Sequence, residues 1–364
     1  MKILILAAPF EFYKGGSELQ NTVICNYLEK KGFDVHFLFH YKKDIKSDNF
    51  HTYRYLFRKK YNRYLFTDFF QIYRLISKIN PDIIYKRGIN YITGIGTLYC
   101  KINRIPFIAH IASERDVNVF SKRILRNYAQ YVKVYFDELI NRYVISNSNF
   151  IVAQAEYQSN LMKKNYKREA NLIIPNMHFY PTEFIKRNNG EIKILWIANF
   201  KKLKQPEKFI ELAKELKDGN AKFIMIGRTS PNKWSQDLIN EIKNINNLSY
   251  IGEQSIEEVN KLLAGGHIFV NTSLYEGFPN TFIQAWMRKV PVVSLNIDPD
   301  DVLKTNRIGY HSKSFDKMVE DVNTLIENSA LREDIGNKAQ EYAFKNHSMQ
   351  NIEKLIQLIE NDTK

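Results

Sequence analysis

One stretch of the chain predicts its fold: residues 267–296 have the sequence HIFVNTSLYEGFPNTFIQAWMRKVPVVSLN. It begins with an apolar strand, continues through a tight polar loop into a short helix, and ends with a second apolar strand. Strand, helix and strand in this order form a βαβ unit, in which the two strands lie parallel in one sheet. We therefore expect a parallel α/β sheet in this part of the chain.

The loop of this unit has the chemistry that a sugar nucleotide requires. Glu276 supplies a carboxylate, Gly277 allows a ligand to approach the backbone, and the helix beginning near Asn280 has N–H groups that can hold an anion. Gln284 follows Glu276 by eight residues, or at most ~12 Å along a helix axis. A sugar hydroxyl and a ribose are separated similarly in a nucleotide sugar. An ordinary solvated loop is the alternative interpretation.

Length and composition indicate a protein with two domains. The chain has 364 residues, of which 44% are hydrophobic, enough for two cores. No window has the ~18 apolar residues of a membrane span, and the apolar run at the start is too short for a signal peptide, so we expect a cytoplasmic location. Cys25 and Cys100 are too few for a disulfide framework and lack the spacing of a zinc site.

The positive charge is confined to the first half of the chain. The formal net charge is +14, and residues 1–175 contain 28 Lys and Arg against 14 Asp and Glu, while the remainder contains 25 of each kind. This asymmetry indicates that one domain faces an anionic partner, which is a membrane surface, an acidic glycan or nucleic acid. Genome base composition is an alternative interpretation of the abundance of Lys, Asn, Ile and Tyr, but that bias alone would not make the two halves differ.

Two stretches combine aromatic and basic residues. Residues 50–74 contain ten Phe and Tyr and six Lys and Arg, a mixture that settles at the headgroup level of anionic membranes. A helix packed into the domain core is an equally good interpretation. Stacking on single-stranded nucleic acid is the least favoured, since no RNA-binding motif accompanies the stretch. Residues 121–143 are basic, tyrosine-rich and helical, and the same alternatives apply.

The first half also has an α/β pattern with candidate ligand residues. Gly15 and Gly16 open a helix after the first strand, but their spacing is not the Gly-x-Gly-x-x-Gly of nicotinamide cofactor sites. His110 ends a later strand, where ligand sites of open α/β sheets lie. We place the first domain at 1–176, a linker at 177–191 and the second domain at 190–341. The final helix, within about 342–364, is a candidate to pack back on the first domain.

These motifs resemble those of the family 4 retaining glycosyltransferases. The resemblance covers nearly the whole chain and is most specific at Glu276–Ala285, at the strand that follows, and at the Gly15-Gly16 loop. It implies the GT-B fold, with two Rossmann-like doubly wound α/β domains facing across a cleft. It also implies transfer of a sugar, with retention, from a UDP- or GDP-sugar to a glycan or lipid-linked acceptor. Such an enzyme works in cell-surface polysaccharide synthesis, peripherally on the inner face of the membrane.

The resemblance assigns roles to individual residues. Glu276 orients the sugar, His110 binds a sugar hydroxyl, and Lys204 stabilises the diphosphate together with the backbone amides of 277–280. The further donor contacts that it implies are Gly15, Gly16, Asn199, Gly277, Phe278, Asn280, Thr281 and Gln284.

The sequence departs from the family pattern at three places. Gln284 replaces the second Glu of the signature, Asn199 replaces an Arg that faces the pyrophosphate, and Asn280-Thr281 replaces the commoner Leu-Pro. Lys201, Lys202 and Arg228 are candidates to supply the missing positive charge. These departures keep two alternatives open, which are a non-catalytic sugar-nucleotide-binding or scaffold protein and a GT-B nucleotide-sugar epimerase.

The segment Asp298-Pro299-Asp300-Asp301 has the Asp-x-Asp spacing of a metal site. Carboxylates at this spacing hold a divalent ion on the diphosphate in the other large glycosyltransferase fold class. Here the segment follows a βαβ unit, and GT-B enzymes use helix ends and basic residues instead. We therefore expect no metal and no cofactor, the nucleotide sugar being a substrate.

Overall fold

The structure is a computed structural model of the chain. It describes residues 1–13, 15–43, 47, 50–56, 68–118, 128–181, 187, 190–217 and 219–362. The chain divides into two compact units, of which unit 1 comprises Met1–Met177 and Met349–Lys364, and unit 2 comprises His178–Ser348.

Unit 1 is built on a seven-stranded parallel sheet with the strand order β3-β2-β1-β4-β5-β6-β7. Its strands are β1 (Lys2–Ile5), β2 (Asp34–His40), β3 (His51–Tyr55), β4 (Ile83–Arg87), β5 (Phe107–His110), β6 (Phe150–Ala153) and β7 (Leu172–Ile173). Its helices are α1 (Gly16–Lys30), α2 (Phe69–Ile79), α3 (Tyr91–Asn103), α4 (Tyr128–Asn147), α5 (Glu156–Tyr166) and α13 (Asn351–Asp362).

Strand β1 shows why this sheet forms. Ile3, Leu4 and Ile5 are completely buried, as expected for a parallel strand with helices on both faces. Ile3 and Ile5 pack in the core that contains α1 and α13, whereas Leu4 packs in the core that contains α2 and α3. The apolar start of the sequence is therefore the centre of a three-layered α/β unit.

The boundary between the units divides the segment 342–364. Helix α13 contributes Ile352 and Ile356 to the core of unit 1, but Tyr342 lies in unit 2, where its ring centroid is 5.5 Å from that of Trp286. Part of the predicted linker also packs in unit 2, since the Tyr180 ring lies 4.6 Å from the Phe344 ring.

Unit 2 is built on a six-stranded parallel sheet with the order β10-β9-β8-β11-β12-β13. Its strands are β8 (Ile192–Ile197), β9 (Ala221–Ile226), β10 (Leu248–Tyr250), β11 (Ile268–Asn271), β12 (Val292–Ser294) and β13 (Gly309–His311). Its helices are α6 (Pro206–Glu215), α7 (Lys233–Ile242), α8 (Ile256–Gly265), α9 (Asn280–Trp286), α10 (Val302–Asn306), α11 (Phe315–Glu327) and α12 (Ser329–Asn346).

The predicted βαβ unit is present as β11, α9 and β12. The two strands pair in parallel, with Phe269 opposite Val292 and Asn271 opposite Ser294. The two doubly wound parallel sheets confirm the predicted α/β class.

The two aromatic and basic stretches lie partly outside the described residues. The first contains strand β3, whose Tyr55 is 1% exposed, and the start of α2, while residues 57–67 fall outside. Residues 121–127 of the second stretch also fall outside. The membrane interpretation of both therefore stays a prediction. Every helix of the described chain is too short or too polar to cross a bilayer.

A glycine brings the carboxyl ends of β8 and β9 together. Gly227 has a φ of 147°, and a Cβ placed on it would lie 1.9 Å from the carbonyl oxygen of Ala198. Both the backbone conformation and the close approach exclude larger residues. This contact fixes the position of Asn199 relative to Arg228.

We expect Gly227→Ala to lower the free energy of unfolding of unit 2 by about 2 kcal/mol or more, since the new methyl group meets backbone and the φ is strained. Urea unfolding followed by tryptophan fluorescence measures this, because Trp196, Trp234 and Trp286 all belong to unit 2. The control is Gly265→Ala at the end of α8, where no atom lies within 4 Å of the added Cβ. Equal stability of the two variants would contradict the assigned role of Gly227.

Candidate active site

Thr272 joins two loops at the carboxyl edge of the unit 2 sheet. Its Oγ1 accepts a hydrogen bond from Nε1 of Trp196 at 2.9 Å and donates to the carbonyl oxygen of Lys204 at 2.6 Å. The backbone N–H of Leu274 donates to the carbonyl oxygen of Leu203 at 2.9 Å. The loop after β8 and the loop after β11 are thereby held side by side, at the edge where ligands of open α/β sheets bind.

Lys204 and Glu276, the two charged residues predicted for unit 2, meet at this edge. The Nζ of Lys204 contacts Oε1 of Glu276, and the side chains are 21% and 20% exposed. Ser273 supports the carboxylate, since its Oγ donates to the same Oε1 at 2.9 Å. Asn271 supports Ser273 in turn, because its Oδ1 accepts from the N–H of Ser273 at 3.0 Å. The structure therefore brings together an ammonium and a carboxylate that are 72 residues apart in sequence.

This ion pair can exchange its partners for a ligand. Both side chains are partly exposed, so a ligand that enters from solvent can reach the ammonium and the carboxylate. An ammonium has three donors and suits a phosphate anion, while a carboxylate accepts hydrogen bonds from hydroxyl groups. A ligand with both an anion and hydroxyl groups satisfies both side chains at once.

Asn199 has a structural partner in the loop after β9. Its Oδ1 accepts a hydrogen bond from the backbone N–H of Arg228 at 3.1 Å, and the N–H of Phe200 donates to the carbonyl oxygen of Arg228 at 2.9 Å. The side chains of Arg228, Lys201 and Lys202 are exposed. Among these three candidates for the missing positive charge, Arg228 is the one whose backbone is held by Asn199.

The residues that follow Glu276 and were predicted to contact the donor are largely buried. Phe278 is 7% exposed, and its ring lies 4.9 Å from the ring of His347. Gln284 is 6% exposed, and its Nε2 lies 3.4 Å from Oδ1 of Asn260 on α8. Gly277 is also buried, whereas Thr281 is partly exposed. The donor contacts assigned to these residues stay predictions.

A buried histidine holds Asn280, and sequence reasoning missed it. Nε2 of His178 lies 3.2 Å from Oδ1 of Asn280, and burial lowers the pKa of His178 to about 4. His178 is therefore neutral at pH 7, and its Nε2–H donates to Asn280. No motif surrounds His178, which lies in the segment assigned to a linker, so the sequence contains no signal for it.

The glycine loop of unit 1 lies against a carboxylate. Gly15 precedes the first residue of α1, Gly16, with an extended backbone (φ −149°, ψ 162°). A Cβ on Gly15 would lie 2.3 Å from Oε2 of Glu18. A carboxylate near a helix N-terminus stabilises the helix. The negative charge of Glu18 also repels an anionic ligand that approaches this loop.

His110 ends β5 as predicted, but both of its ring nitrogens face partners within unit 1. Its Nδ1 lies 2.7 Å from the Tyr85 hydroxyl, and its Nε2 lies 3.1 Å from Nη1 of Arg87. Burial, reinforced by the charge of Arg87, lowers the pKa of His110 well below its usual value. Because Arg87 can only donate, the neutral imidazole accepts at Nε2 and donates from Nδ1–H to Tyr85. The sugar contact predicted for His110 stays a prediction.

Two buried basic residues beside His110 were overlooked. Arg87 is 3% exposed and donates to Oδ1 of Asn176. Lys86 donates to the carbonyl oxygen of Arg87 at 2.9 Å, and burial lowers the pKa of Lys86 to about 8. Both end β4, so the strand-end rule that selected His110 also selects them.

The Asp298 carboxylate accepts hydrogen bonds from two backbone N–H groups. Its Oδ1 accepts from the N–H of Leu303 at 2.8 Å and its Oδ2 from that of Lys304 at 3.4 Å. Asp298 therefore caps the short helix α10 in this structure.

Two family models match the chain. The model described as "Glycosyl transferase 4-like" matches residues 2–148, and the model described as "Glycosyl transferases group 1" matches residues 182–342. The poly(ribitol-phosphate) α-N-acetylglucosaminyltransferase of Staphylococcus aureus is 26% identical over 223 residues, which cover 58% of this chain and 44% of that protein. The matches span less than half the length of the curated relatives.

Solved structures share the fold at low sequence identity. Sucrose-phosphate synthase from Thermosynechococcus elongatus aligns with a TM-score of 0.80 and 12% identity, over 100% of this chain and 98% of that one. HepE from Anabaena, in complex with UDP and glucose, aligns with a TM-score of 0.77 and 14% identity over 100% of both chains. These likenesses establish the GT-B fold.

Histidine 178 makes unit 2 sensitive to acid. Since its folded pKa is about 4 and its unfolded pKa about 6.5, the unfolded state binds more protons between these values. The free energy of unfolding must then fall as the pH decreases through this window, by about 2 kcal/mol from pH 7 to pH 5.

We expect His178→Gln, which keeps an amide donor for Asn280, to lose this part of the pH dependence. Urea unfolding at pH 7 and pH 5, followed by tryptophan fluorescence, compares the variant with the parent. Gln236→Asn, on the exposed surface of α7 in the same unit, is the control and should behave as the parent does. An unchanged pH dependence in His178→Gln would show that another group is responsible.

Proposed function

Because the chain belongs to the group 1, family 4-like glycosyltransferases with the GT-B fold, we propose that it transfers a sugar from a UDP- or GDP-sugar to an acceptor hydroxyl with retention of anomeric configuration. One observation carries the proposal: Lys204 contacts Glu276 at the carboxyl edge of the unit 2 sheet. The two residues come from different loops, and each occupies the position at which the family has a donor-binding residue of the same charge.

Lys204 binds the diphosphate of the donor. The ammonium leaves Glu276 and donates to phosphate oxygens in the bound complex. Negative charge grows on the β-phosphate as the sugar departs, so a fixed positive group there stabilises the transition state more than the ground state. The hydrogen bond from Thr272 to the Lys204 carbonyl holds the backbone from which this side chain projects.

Glu276 binds the sugar. Once Lys204 turns to the diphosphate, the carboxylate is available to hydroxyl groups of the donor sugar, and Ser273 keeps it oriented through a 2.9 Å hydrogen bond. The acceptor hydroxyl attacks the anomeric carbon on the face that the diphosphate leaves. Its proton passes to the leaving phosphate, so no side chain of the protein serves as the base.

A uridine nucleotide is the first donor to test. The HepE structure contains UDP and glucose, and the Staphylococcus aureus relative is named as an N-acetylglucosaminyltransferase. A glycan or lipid-linked acceptor of cell-surface polysaccharide synthesis, and attachment to the inner face of an anionic membrane, are further parts of the proposal. They rest on the positive charge and the aromatic residues of the first half of the chain.

A non-catalytic sugar-nucleotide-binding protein is the second candidate. The observation that favours it is the role of Asn199, whose amide holds the backbone of Arg228 at the position where the family has an arginine facing the pyrophosphate. Such a protein binds the nucleotide sugar without turnover, so the experiment below separates the two candidates.

We expect Lys204→Ala and Glu276→Ala to act on different parts of the donor. Lys204→Ala should weaken binding of the bare nucleoside diphosphate and lower turnover by ~10²-fold or more, as loss of one oxyanion donor does. Glu276→Ala should leave the affinity for the diphosphate nearly intact and abolish transfer. Titration calorimetry with UDP and with GDP, followed by a transfer assay with the matching sugar nucleotide, measures both quantities.

Lys214→Ala is the matched control, because Lys214 forms an exposed ion pair with Glu241 at 2.7 Å in the same unit. It should change neither quantity. If the affinity for the diphosphate is unchanged in Lys204→Ala, or lost in a folded Glu276→Ala, the donor is assigned to the wrong residues. Tight donor binding by the parent without any turnover would support the non-catalytic candidate.

Gln284 should contact the donor ribose in place of the family's glutamate. Gln284→Glu then keeps or tightens nucleotide binding, whereas Gln284→Leu weakens it by about 1–3 kcal/mol, the cost of an unpaired buried hydroxyl. Calorimetry with the nucleotide that the parent binds tests this, with Gln236→Leu on the exposed surface of α7 as control. The ribose contact would be wrong if Gln284→Leu bound the nucleotide as tightly as the parent.

A further inference from the structure

Three potential metal ligands lie where strands of the unit 1 sheet begin, whereas His110 lies where a strand ends. Strands β2 and β3 begin at this edge, and one ligand atom from each of Asp34, His36 and His51 lies within 4.8 Å of the others. Ligand sites of open α/β sheets lie at the other edge, where the strands end. The cluster therefore has no part in the donor chemistry proposed above.

The register of the sheet produces this cluster. Asp34 and His36 are two residues apart in β2, so their side chains project from the same face. His51 is the register partner of His36 in the parallel strand β3, and paired positions of adjacent strands also share a face. The sequence alone does not reveal the cluster, because it depends on which residue of β3 lies opposite His36.

Both imidazoles face one carboxylate oxygen. The Nε2 of His36 lies 2.8 Å and the Nε2 of His51 lies 3.8 Å from Oδ1 of Asp34. The two rings are stacked, with centroids 4.7 Å apart and planes inclined by 19°. Two ring nitrogens and one carboxylate oxygen thus lie within 4.8 Å of one another on β2 and β3.

The three ligands differ in burial, and this difference suits a site that takes up an ion from solvent. His36 is 6% exposed, and within the described residues neither of its ring nitrogens makes a hydrogen bond of good geometry. A buried polar atom without such a bond is costly. The side chains of His51 and Asp34 are 69% and 46% exposed. A fixed inner ligand is therefore combined with outer ligands that can turn, and binding of an ion requires the exposed His51 side chain to rotate so that its lone pair faces the ion.

We propose that Asp34, His36 and His51 form a binding site for a divalent transition-metal ion, of which Zn²⁺ is the simplest probe. Two imidazole nitrogens and one carboxylate oxygen are ligands that zinc takes in proteins, with water completing the tetrahedron. Imidazole ligands also favour copper and nickel, whereas Mg²⁺ and Ca²⁺ prefer oxygen ligands.

Charged groups of both signs lie around the cluster. The contact with His36 is the main cause that lowers the pKa of Asp34, so this carboxylate is ionised at neutral pH. Glu29 of α1 is close enough to act on both His51 and Asp34, and Lys2 of β1 also acts on Asp34.

A bound metal stabilises the pairing of the outermost strand of the sheet with its neighbour. Strand β3 is the edge strand, and β2 is its neighbour. A metal held by His51 on one strand and by Asp34 and His36 on the other fastens the two strands where they begin. Binding to the folded state alone stabilises it by mass action.

Titration of Zn²⁺ into the full-length, untagged and chelator-treated chain at pH 7.5 tests the proposal. Calorimetry should detect one strong site per chain in the parent. His51→Gln and Asp34→Asn should each weaken binding at least ~10-fold, because a ligand is lost. Both side chains are substantially exposed, so both variants should fold. His311→Gln, in unit 2, is the control and should bind as the parent does.

A second measurement identifies the ligands. Copper(II) loaded in place of zinc should show hyperfine coupling to two nitrogens by electron paramagnetic resonance in the parent and to one nitrogen in His51→Gln. Zinc should also raise the unfolding temperature of the parent by ~2 °C or more, but not that of His51→Gln. Absence of a stoichiometric site in the parent, or parent-like zinc binding by His51→Gln and Asp34→Asn, would overturn the assignment.

Discussion

The hydroxyl of Thr272 is the contact on which the unit 2 site depends. The side chain is completely buried, and its oxygen both accepts from Trp196 and donates to the Lys204 carbonyl. A hydroxyl offers one donor and two acceptor sites, so one atom joins the end of β8, the loop that follows it and the end of β11. Without it, an indole N–H and a carbonyl remain unpaired in a buried region, which costs several kcal/mol in total, at roughly 1–3 for each group. The positions of Lys204 and Glu276 relative to each other follow from this contact.

Much of the fold could be predicted from the sequence, because apolar runs and turn residues are local signals. Strand β1 and the unit from β11 to β12 show this, since each apolar run is long enough to identify a buried parallel strand. Strand β3 escaped prediction because only Tyr55 of its five residues is fully buried, so its pattern resembles that of an amphipathic surface. Propensity and periodicity do not resolve a short edge strand within a basic, aromatic stretch.

The candidate site also has a part that the sequence predicts and a part that depends on packing. Strand ends in a parallel sheet share one edge, so residues such as Lys204 and Glu276 can be placed near each other from sequence and resemblance. The partner of Asn280 could not be predicted, because His178 lies 102 residues away in a segment without a pattern. The neutral state of His110 was equally inaccessible. It results from burial next to Arg87, and both conditions depend on the packing of β4 against β5.

The replacement of the family's arginine by Asn199 is best understood through the acceptor that the amide provides. An arginine side chain has only donors and cannot accept the hydrogen bond from the Arg228 N–H that Asn199 accepts at 3.1 Å. Gly227, immediately before Arg228, allows the loop after β9 to approach Ala198 because it lacks a Cβ. Asparagine at 199 and glycine at 227 thus act together, one by accepting a hydrogen bond and the other by leaving space. Their combined effect is to hold the backbone of an exposed arginine against the loop that contains Lys204. The structure thus fixes the backbone of Arg228 beside position 199, and the replacement of the lost positive charge by the Arg228 guanidinium stays a prediction.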